Sequence, residues 1–325
     1  MILAGDVGGT KTLLGLFEHA RPRPSQRHLF RYSTTAFSSF GDLLAAFAAD
    51  VGGMPRLAAV ALGVAGPVVG RVARLTNHTW AVDADELAAR SGAPVALLND
   101  LEAMAHSLEV LTPDELLVLQ AGEPQPDGHA ALVAAGTGLG EAALHRVGGR
   151  LVPAPSEAGH ADFAARSDRE WALARMLTEL YGRATVEHVL SGPGLVNLYR
   201  FTHEAGGCPT VEALAPANRP AAVTAAAMDR RCERCVEAVE MFVSVYGAEA
   251  GNLALRTMAT AGLYVGGGIV RHLVPAVRPE GPFMQAFRSK PPMEALLRRI
   301  PVRLILNAET GILGAAVHAQ SLVRG

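Results

Sequence analysis

The feature that most constrains this fold occurs twice: an apolar run, a turn built on glycines, and a second apolar run. Residues 2–5 lead into Asp6-Val7-Gly8-Gly9-Thr10 and then Thr12–Phe17, and Ala130–Ala135 leads into Gly136-Thr137-Gly138-Leu139-Gly140 and then Ala142–Val147. Each reads as two strands joined by a glycine turn. A chain that uses this plan near residue 10 and again near residue 138 is expected to form two α/β halves of related design. Its 325 residues leave room for them at roughly 150 per domain.

Around the two hairpins, the pattern predicts a helix over 40–51 and a buried strand over 57–63 with a partner over 68–75 across Gly66-Pro67. It further predicts a short helix over 83–90 opened by an acidic cap. Val95–Leu98 reads as a strand that delivers Asn99 and Asp100 at its carboxyl end, where open α/β sheets hold their ligands. Gly122–Gly128, with two prolines, reads as a linker. Beyond residue 168 the chain is mostly helical, including a long run over 231–257. Strands over 263–265, which enter Gly266-Gly267-Gly268, and over 301–306 then precede a final amphipathic helix, 309–320.

Half of the chain is apolar, 18% is charged and 5% is aromatic, which excludes a disordered or low-complexity chain and points to an aliphatic core. Lys plus Arg number 29 against 31 Asp plus Glu, a net charge of −2, so the basic excess of a nucleic-acid or anionic-membrane binder is missing. Three cysteines are too few for a disulfide framework, and no apolar run approaches the roughly 20 residues of a membrane helix. With no readable signal peptide, a cytoplasmic protein is expected.

The first hairpin is not a dinucleotide fingerprint, which requires a helix after the glycines, and no GxxxxGK[ST] occurs. Its amides and the Thr10 hydroxyl can approach a phosphate closely, with Asp6 holding a metal through water; equally, it can be only a tight turn. Gly136-Thr137-Gly138 and the strand-end Gly266-Gly267 are of the same kind, and three such turns together suggest a nucleotide clamp. Asp100 is a candidate general base for an attacking hydroxyl; the alternative is that it only caps the following helix. Glu157, His160 and Glu187 are suited to the adjacent hydroxyls of a sugar. Cys232 and Cys235, three apart in a helical run with no second CxxC, read as an inert pair on one helical face.

These segments resemble the bacterial glucokinases of the hexokinase, actin and heat-shock ATPase superfamily. The resemblance runs nearly end to end, through GDVGGT (5–10), GVAGPV (63–68), TNHTW (76–80), LLND (97–100), GTGLG (136–140), SEAGH (156–160), SGPGLVNLY (191–199) and GGGI (266–269). It implies an α/β, two-domain RNase H-like (actin-like ATPase) fold: a small domain over 1–105 completed by 307–325, a large domain over 106–306, and the active site in the cleft between them. It also implies ATP and Mg²⁺, phosphorylation of glucose at the 6-hydroxyl as the first step of glycolysis, and a homodimer. Residue by residue, Asp100 resembles the family's base, Asn99, Asp100, Glu157, His160 and Glu187 its sugar ligands, Gly5, Asp6, Val7, Gly8, Gly9, Thr10, Gly136, Thr137, Gly138, Gly266 and Gly267 its nucleotide site, and Asp6 its metal ligand. TNHTW resembles its sugar-side wall. The cysteine-rich zinc motif of the sister repressor and sugar-kinase family is absent from 162–168, and Lys11 and Glu141 depart from the expected pattern. Alternatives are a kinase for another hexose or an N-acetylhexosamine, a polyphosphate-dependent enzyme, a sugar-sensing regulator and an actin-like filament protein.

Overall fold

The computed structural model describes residues 1–75, 78–203 and 206–323. The chain divides into two compact units, Met1–Thr112 with Asn307–Gly325, and Pro113–Leu306.

The first unit is built on β1 (Ile2–Val7), β2 (Lys11–Glu18), β3 (Ser25–Ser33) and β4 (Ala59–Val64), with the short strands β5 (Val68–Val69), β6 (Val72–Arg74) and β7 (Ala81–Asp83), and β8 (Val95–Asn99). Its main sheet has the order β3-β2-β1-β4-β8, with β4 parallel to both β1 and β8. Alternation along β1 sends Leu3 and Val7 to one face, against Phe40, Leu43 and Phe47 of α1 (Phe40–Asp50). Ile2 and Ala4 go to the other face, against Ile312, Ala315, Ala316 and Ala319 of the C-terminal helix, Thr310–Leu322. The small residues of that helix permit close packing on α3 (Asp100–Ser107), where a methyl group at Gly314 would collide with the Ala103 carbonyl. The expected acidic cap is Asp83, whose side chain accepts the Asp85 and Glu86 amides at the start of α2 (Ala84–Ser91).

One pairing differs from expectation. Residues 68–74 do not join β4; they turn back on themselves at Gly70 and pair with β7 in a separate three-stranded sheet. Both edges of β4 are already filled, by β1 and β8, and Gly70 adopts a φ of 62° that makes the local hairpin cheap.

The second unit holds β9 (Leu116–Gln120), β10 (Ala130–Ala135), β11 (Leu139–Val147), β12 (Arg150–Ser156), β13 (Gly262–Gly266) and β14 (Val302–Ile305), in the order β12-β11-β10-β13-β14-β9. Its helices are α4 (Asp168–Tyr181), α5 (Gly192–Thr202), α6 (Pro209–Glu212), α7 (Arg219–Met228), α8 (Glu233–Thr257), α9 (Gly268–His272), α10 (Pro282–Arg288) and α11 (Glu294–Arg299). One continuous core unites this sheet with α8, whose Phe242, Val243, Tyr246 and Ala250 are buried. The stretch Gly122–Gly128 is packed rather than a linker. Glu123 N donates to Arg299 O and Gln125 N to Thr260 O, because β9 before it is already a strand of this sheet.

Candidate active site

In the first unit, β1 and β2 are joined by a turn in which Gly8 N donates to Lys11 O at 3.0 Å. The turn is braced from β3's end: Thr34 Oγ1 donates to Gly8 O at 2.7 Å and lies 2.8 Å from Thr12 Oγ1. Gly9 and Thr10 stand at the tip, with Thr10 exposed. Gly5 and Val7 are buried within β1, where a methyl group on Gly5 would press into Leu62 and Leu14, so their part is to seat the turn on the sheet. The Asp6 carboxyl faces the first turn of the C-terminal helix at Gly311, where any side chain would meet it at 2.9 Å. Burial, then the charge of Asp100, pushes Asp6 up to about 6 against an opposing pull from Lys11.

Asn99 and Asp100 divide their work at the end of β8. Asn99 caps α3 through Leu101 N at 2.9 Å, and Glu102 reaches back to Asn99 N at 3.4 Å, a capping box. Its amide also donates to Gly66 O at 3.4 Å, in the GVAGPV segment. The cap is therefore Asn99, and Asp100 occupies the first helical position, exposed, with one carboxylate oxygen also accepting Leu101 N at 2.9 Å.

In the second unit, β10 and β11 enclose Gly136-Thr137-Gly138, closed by Gly136 N to Gly138 O at 2.8 Å. Glu187 braces this turn: its Oε2 accepts Leu139 N at 2.8 Å and fills the space a methyl group on Gly138 would need. The Glu187 segment lies along the SEAGH segment, with Glu187 N donating to Gly159 O and Val186 N to Ala161 O. Glu187 Oε1 is thereby 3.9 Å from His160 Nδ1, beside exposed Glu157 at the start of the 3₁₀ turn Ala158–His160. The third glycine turn adjoins the second. Gly267 has a φ of 95° and packs so tightly on Ala135 O that only glycine fits.

Each unit thus carries a glycine hairpin with a solvent-exposed threonine at its tip, the first beside a strand-end aspartate and the second beside the His160 and Glu187 pair. The profile of the family described as glucokinase matches residues 3–322. This chain belongs to the glucokinase family. It is 38% identical to the glucokinase of Synechocystis sp., with 98% of this chain and 97% of that one aligned. The solved glucokinase of an Antarctic psychrotroph superposes with a TM-score of 0.83 at 26% identity, covering 98% of each chain. A Streptomyces griseus glucokinase of the ROK family, solved in complex with glucose and AMPPNP, gives 0.65 at 21% identity and covers 98% and 99%. The two-domain, actin-like ATPase fold of the glucokinases is thus the fold of this chain.

Within this glucokinase fold, Tyr246 is a residue the sequence pattern did not single out. Its hydroxyl, fully buried on α8, accepts Ala135 N at 3.1 Å and lies 3.2 Å from Val133 O and 3.0 Å from Gly266 O. It thereby buckles together the strand ends that carry two of the glycine turns. The only sequence signal was a hydroxyl-bearing tyrosine on an otherwise apolar helix face, one turn after Phe242. Glu141 is turned away from the hairpin tip. It is fully buried toward α8, beside Glu249 and 3.6 Å from an Arg256 guanidinium nitrogen. Of TNHTW, Thr76 and Asn77 lie outside the described residues; Trp80 is buried and donates its indole N–H to Ser38 O at 3.0 Å.

Proposed function

We propose that this glucokinase-family protein transfers the γ-phosphoryl group of ATP to the 6-hydroxyl of D-glucose. The observation that carries the reading is the division of labour at the end of β8, where Asn99 takes the capping role and Asp100 presents its carboxylate. In that role Asp100 accepts the hydroxyl proton as O6 bonds to the γ-phosphorus and the bond from phosphorus to the ADP oxygen breaks, leaving glucose 6-phosphate and ADP. Asn99, Glu157, His160 and Glu187 hold the sugar's other hydroxyls, and the amides of residues 8–10, 136–138 and 266–267 hold phosphates. The curated relatives of this name and the Streptomyces griseus complex support the substrate pair.

Mg²⁺ fits the first hairpin. Asp6 is held in place by β1, and burial and the nearby charge of Asp100 disfavour its ionisation, an environment that a divalent cation relieves. Asp6 would hold the ion through water, and the ion would offset phosphate charge. The reading extends to a cytoplasmic role in the first step of glycolysis and to a homodimer, which light scattering of the purified protein tests. Among the described residues, no helix is long and apolar enough to cross a membrane.

The deciding experiment measures sugar phosphate formation over a panel of sugars and phosphoryl donors, with coupled ADP release as a second readout where ATP is the donor. Glucose with ATP is expected to give the highest kcat/KM; a higher value for another pair overturns the assignment. Asp100→Asn is expected to bind glucose yet lose roughly 10²- to 10⁴-fold in kcat. Unchanged turnover would remove Asp100 from its role.

A further inference from the structure

All three cysteines of the chain lie near one another in the second unit, and two of them, Cys232 and Cys235, meet a histidine. His203 is the C-cap of α5, Cys208 immediately precedes α6, Cys232 is the N-cap of α8, and Cys235 lies in the first turn of α8. His203 Nε2 is 3.4 Å from Cys232 Sγ and 3.9 Å from Cys235 Sγ, and these three ligand atoms all lie within 4.8 Å of one another. The Cys208 thiol neighbours those of Cys232 and Cys235 but stands outside that group of three, 3.0 Å from Thr210 Oγ1, and would turn from this hydroxyl to serve as the fourth ligand.

The spacing matches a tetrahedral metal. Zinc bonds of about 2.3 Å to sulfur and about 2.0–2.1 Å to nitrogen require neighbouring ligands to be about 3.6 Å apart for N and S and about 3.8 Å for S and S. The histidine is also prepared as a ligand. Its Nδ1 lies 2.9 Å from the Tyr199 carbonyl oxygen, which can only accept, so Nδ1 carries the proton and the Nε2 lone pair faces the sulfurs. The Tyr199 ring lies against the imidazole, 4.0 Å between centroids, and its hydroxyl accepts Cys208 N at 2.7 Å, so one side chain orients two members of the group. Cys208, Cys235 and His203 are buried, whereas Cys232 is half-buried and leaves a way in.

We propose that His203, Cys208, Cys232 and Cys235 form a structural Zn²⁺ site. Three thiolates and one imidazole make the closed, four-ligand set of a structural centre, soft enough to exclude Mg²⁺ and Ca²⁺. The site would tie the C-terminal end of α5 to the start of α8. The other end of α5 touches the second glycine hairpin, where Gly192 N donates to Gly136 O at 2.9 Å. The metal thus fixes the far end of the helix that meets this hairpin. The Cys232 and Cys235 pair is then half of a ligand set whose other half, thirty residues earlier in the chain, follows α5.

The site is tested by metal analysis of the full chain purified under reducing conditions from zinc-supplemented medium. About one zinc per chain is expected, with loss of the metal in the Cys232→Ser/Cys235→Ser double variant and in His203→Gln. Because these variants can lose metal by failing to fold, a second measurement uses the unaltered chain. After reduction and removal of metal by a chelator, titration with Co²⁺ is expected to produce the thiolate-to-cobalt charge-transfer absorption and the visible bands of a tetrahedral ion, both abolished by one equivalent of Zn²⁺. A reduced chain that carries no zinc and shows no charge-transfer band with Co²⁺ overturns the proposal. So does a tetrahedral cobalt spectrum that survives unchanged when His203 and the cysteines are replaced.

Discussion

The two glycine hairpins share one backbone plan and are held by different chemistry. In both, an antiparallel pair is continued by a parallel strand: β2-β1-β4 in the first unit and β11-β10-β13 in the second. The first turn is steadied by neutral hydroxyls, Thr34 and Thr12, against a backbone carbonyl. The second is steadied by the Glu187 carboxylate from outside and the buried Tyr246 hydroxyl from within. Repetition of a fold plan therefore does not repeat its supports. The second hairpin is tied to the cluster proposed to hold the sugar, because Glu187 belongs to both, whereas the first is braced within its own sheet.

That contrast predicts unequal damage. Glu187→Ala is expected to have the largest effect, lowering kcat/KM for glucose by roughly 10²-fold, since it removes a hydrogen-bonding sugar partner and the brace on Leu139 N together. Steady-state kinetics check it, and a normal kcat/KM would separate the brace from the sugar. Tyr246→Phe leaves the core filled but strands Ala135 N and removes the one O–H that Val133 O and Gly266 O share, and it is expected to cost about 1–3 kcal/mol in urea unfolding. Thr34→Val in the first unit is expected to cost only about 0.5–1.5 kcal/mol and to leave the KM for glucose unchanged. If it equalled Glu187→Ala in effect, the asymmetry between hairpins would be wrong.

Each unit also holds a pair of like titratable side chains. His106 on α3 and His318 on the C-terminal helix share a hydrogen bond at 3.1 Å, and burial, then the charge His318 would carry when protonated, pulls His106 down to about 4. With a folded value below the unfolded 6.5, this histidine's contribution is complete above pH 6.5 and is lost as pH falls toward 4. Glu141 is raised to about 8 by burial and then by Glu249, with Arg256 opposing. Its contribution is complete below pH 4.5 and is lost as pH rises through 8. The first unit is thus expected to weaken as pH falls from 6.5 to about 4 and the second as pH rises from 4.5 to about 8, read by urea unfolding across that range. Trp80 lies in the first unit and Trp171 in the second, so single-tryptophan variants follow each unfolding transition separately. His106→Gln should flatten the acid limb alone, and Glu141→Gln the basic limb alone.

Much of this was legible in the chain itself. Glycines at 8 and 267 mark where backbone approaches backbone closely, Gly138 marks where the Glu187 carboxylate takes a side chain's space, and alternation along β1 marks two covered faces. Such signals are local, so a linear reading captures them. The partner of residues 68–74 was misread because a strand's neighbour depends on which edges are already filled, and the stretch 122–128 was misread because composition does not reveal packing.

The sequence alone determined the family, the two-hairpin plan and the identity of the polar residues at each turn, because these depend on residue types at short spacing. Only the tertiary structure decided what those residues touch. It placed Glu187 under a hairpin far from it in the chain, Tyr246 between two strand ends, and His203 and Cys208 beside Cys232 and Cys235. Helical spacing can bring residues three apart together. Bringing His203 to that pair requires α5 and α8 to pack in one core.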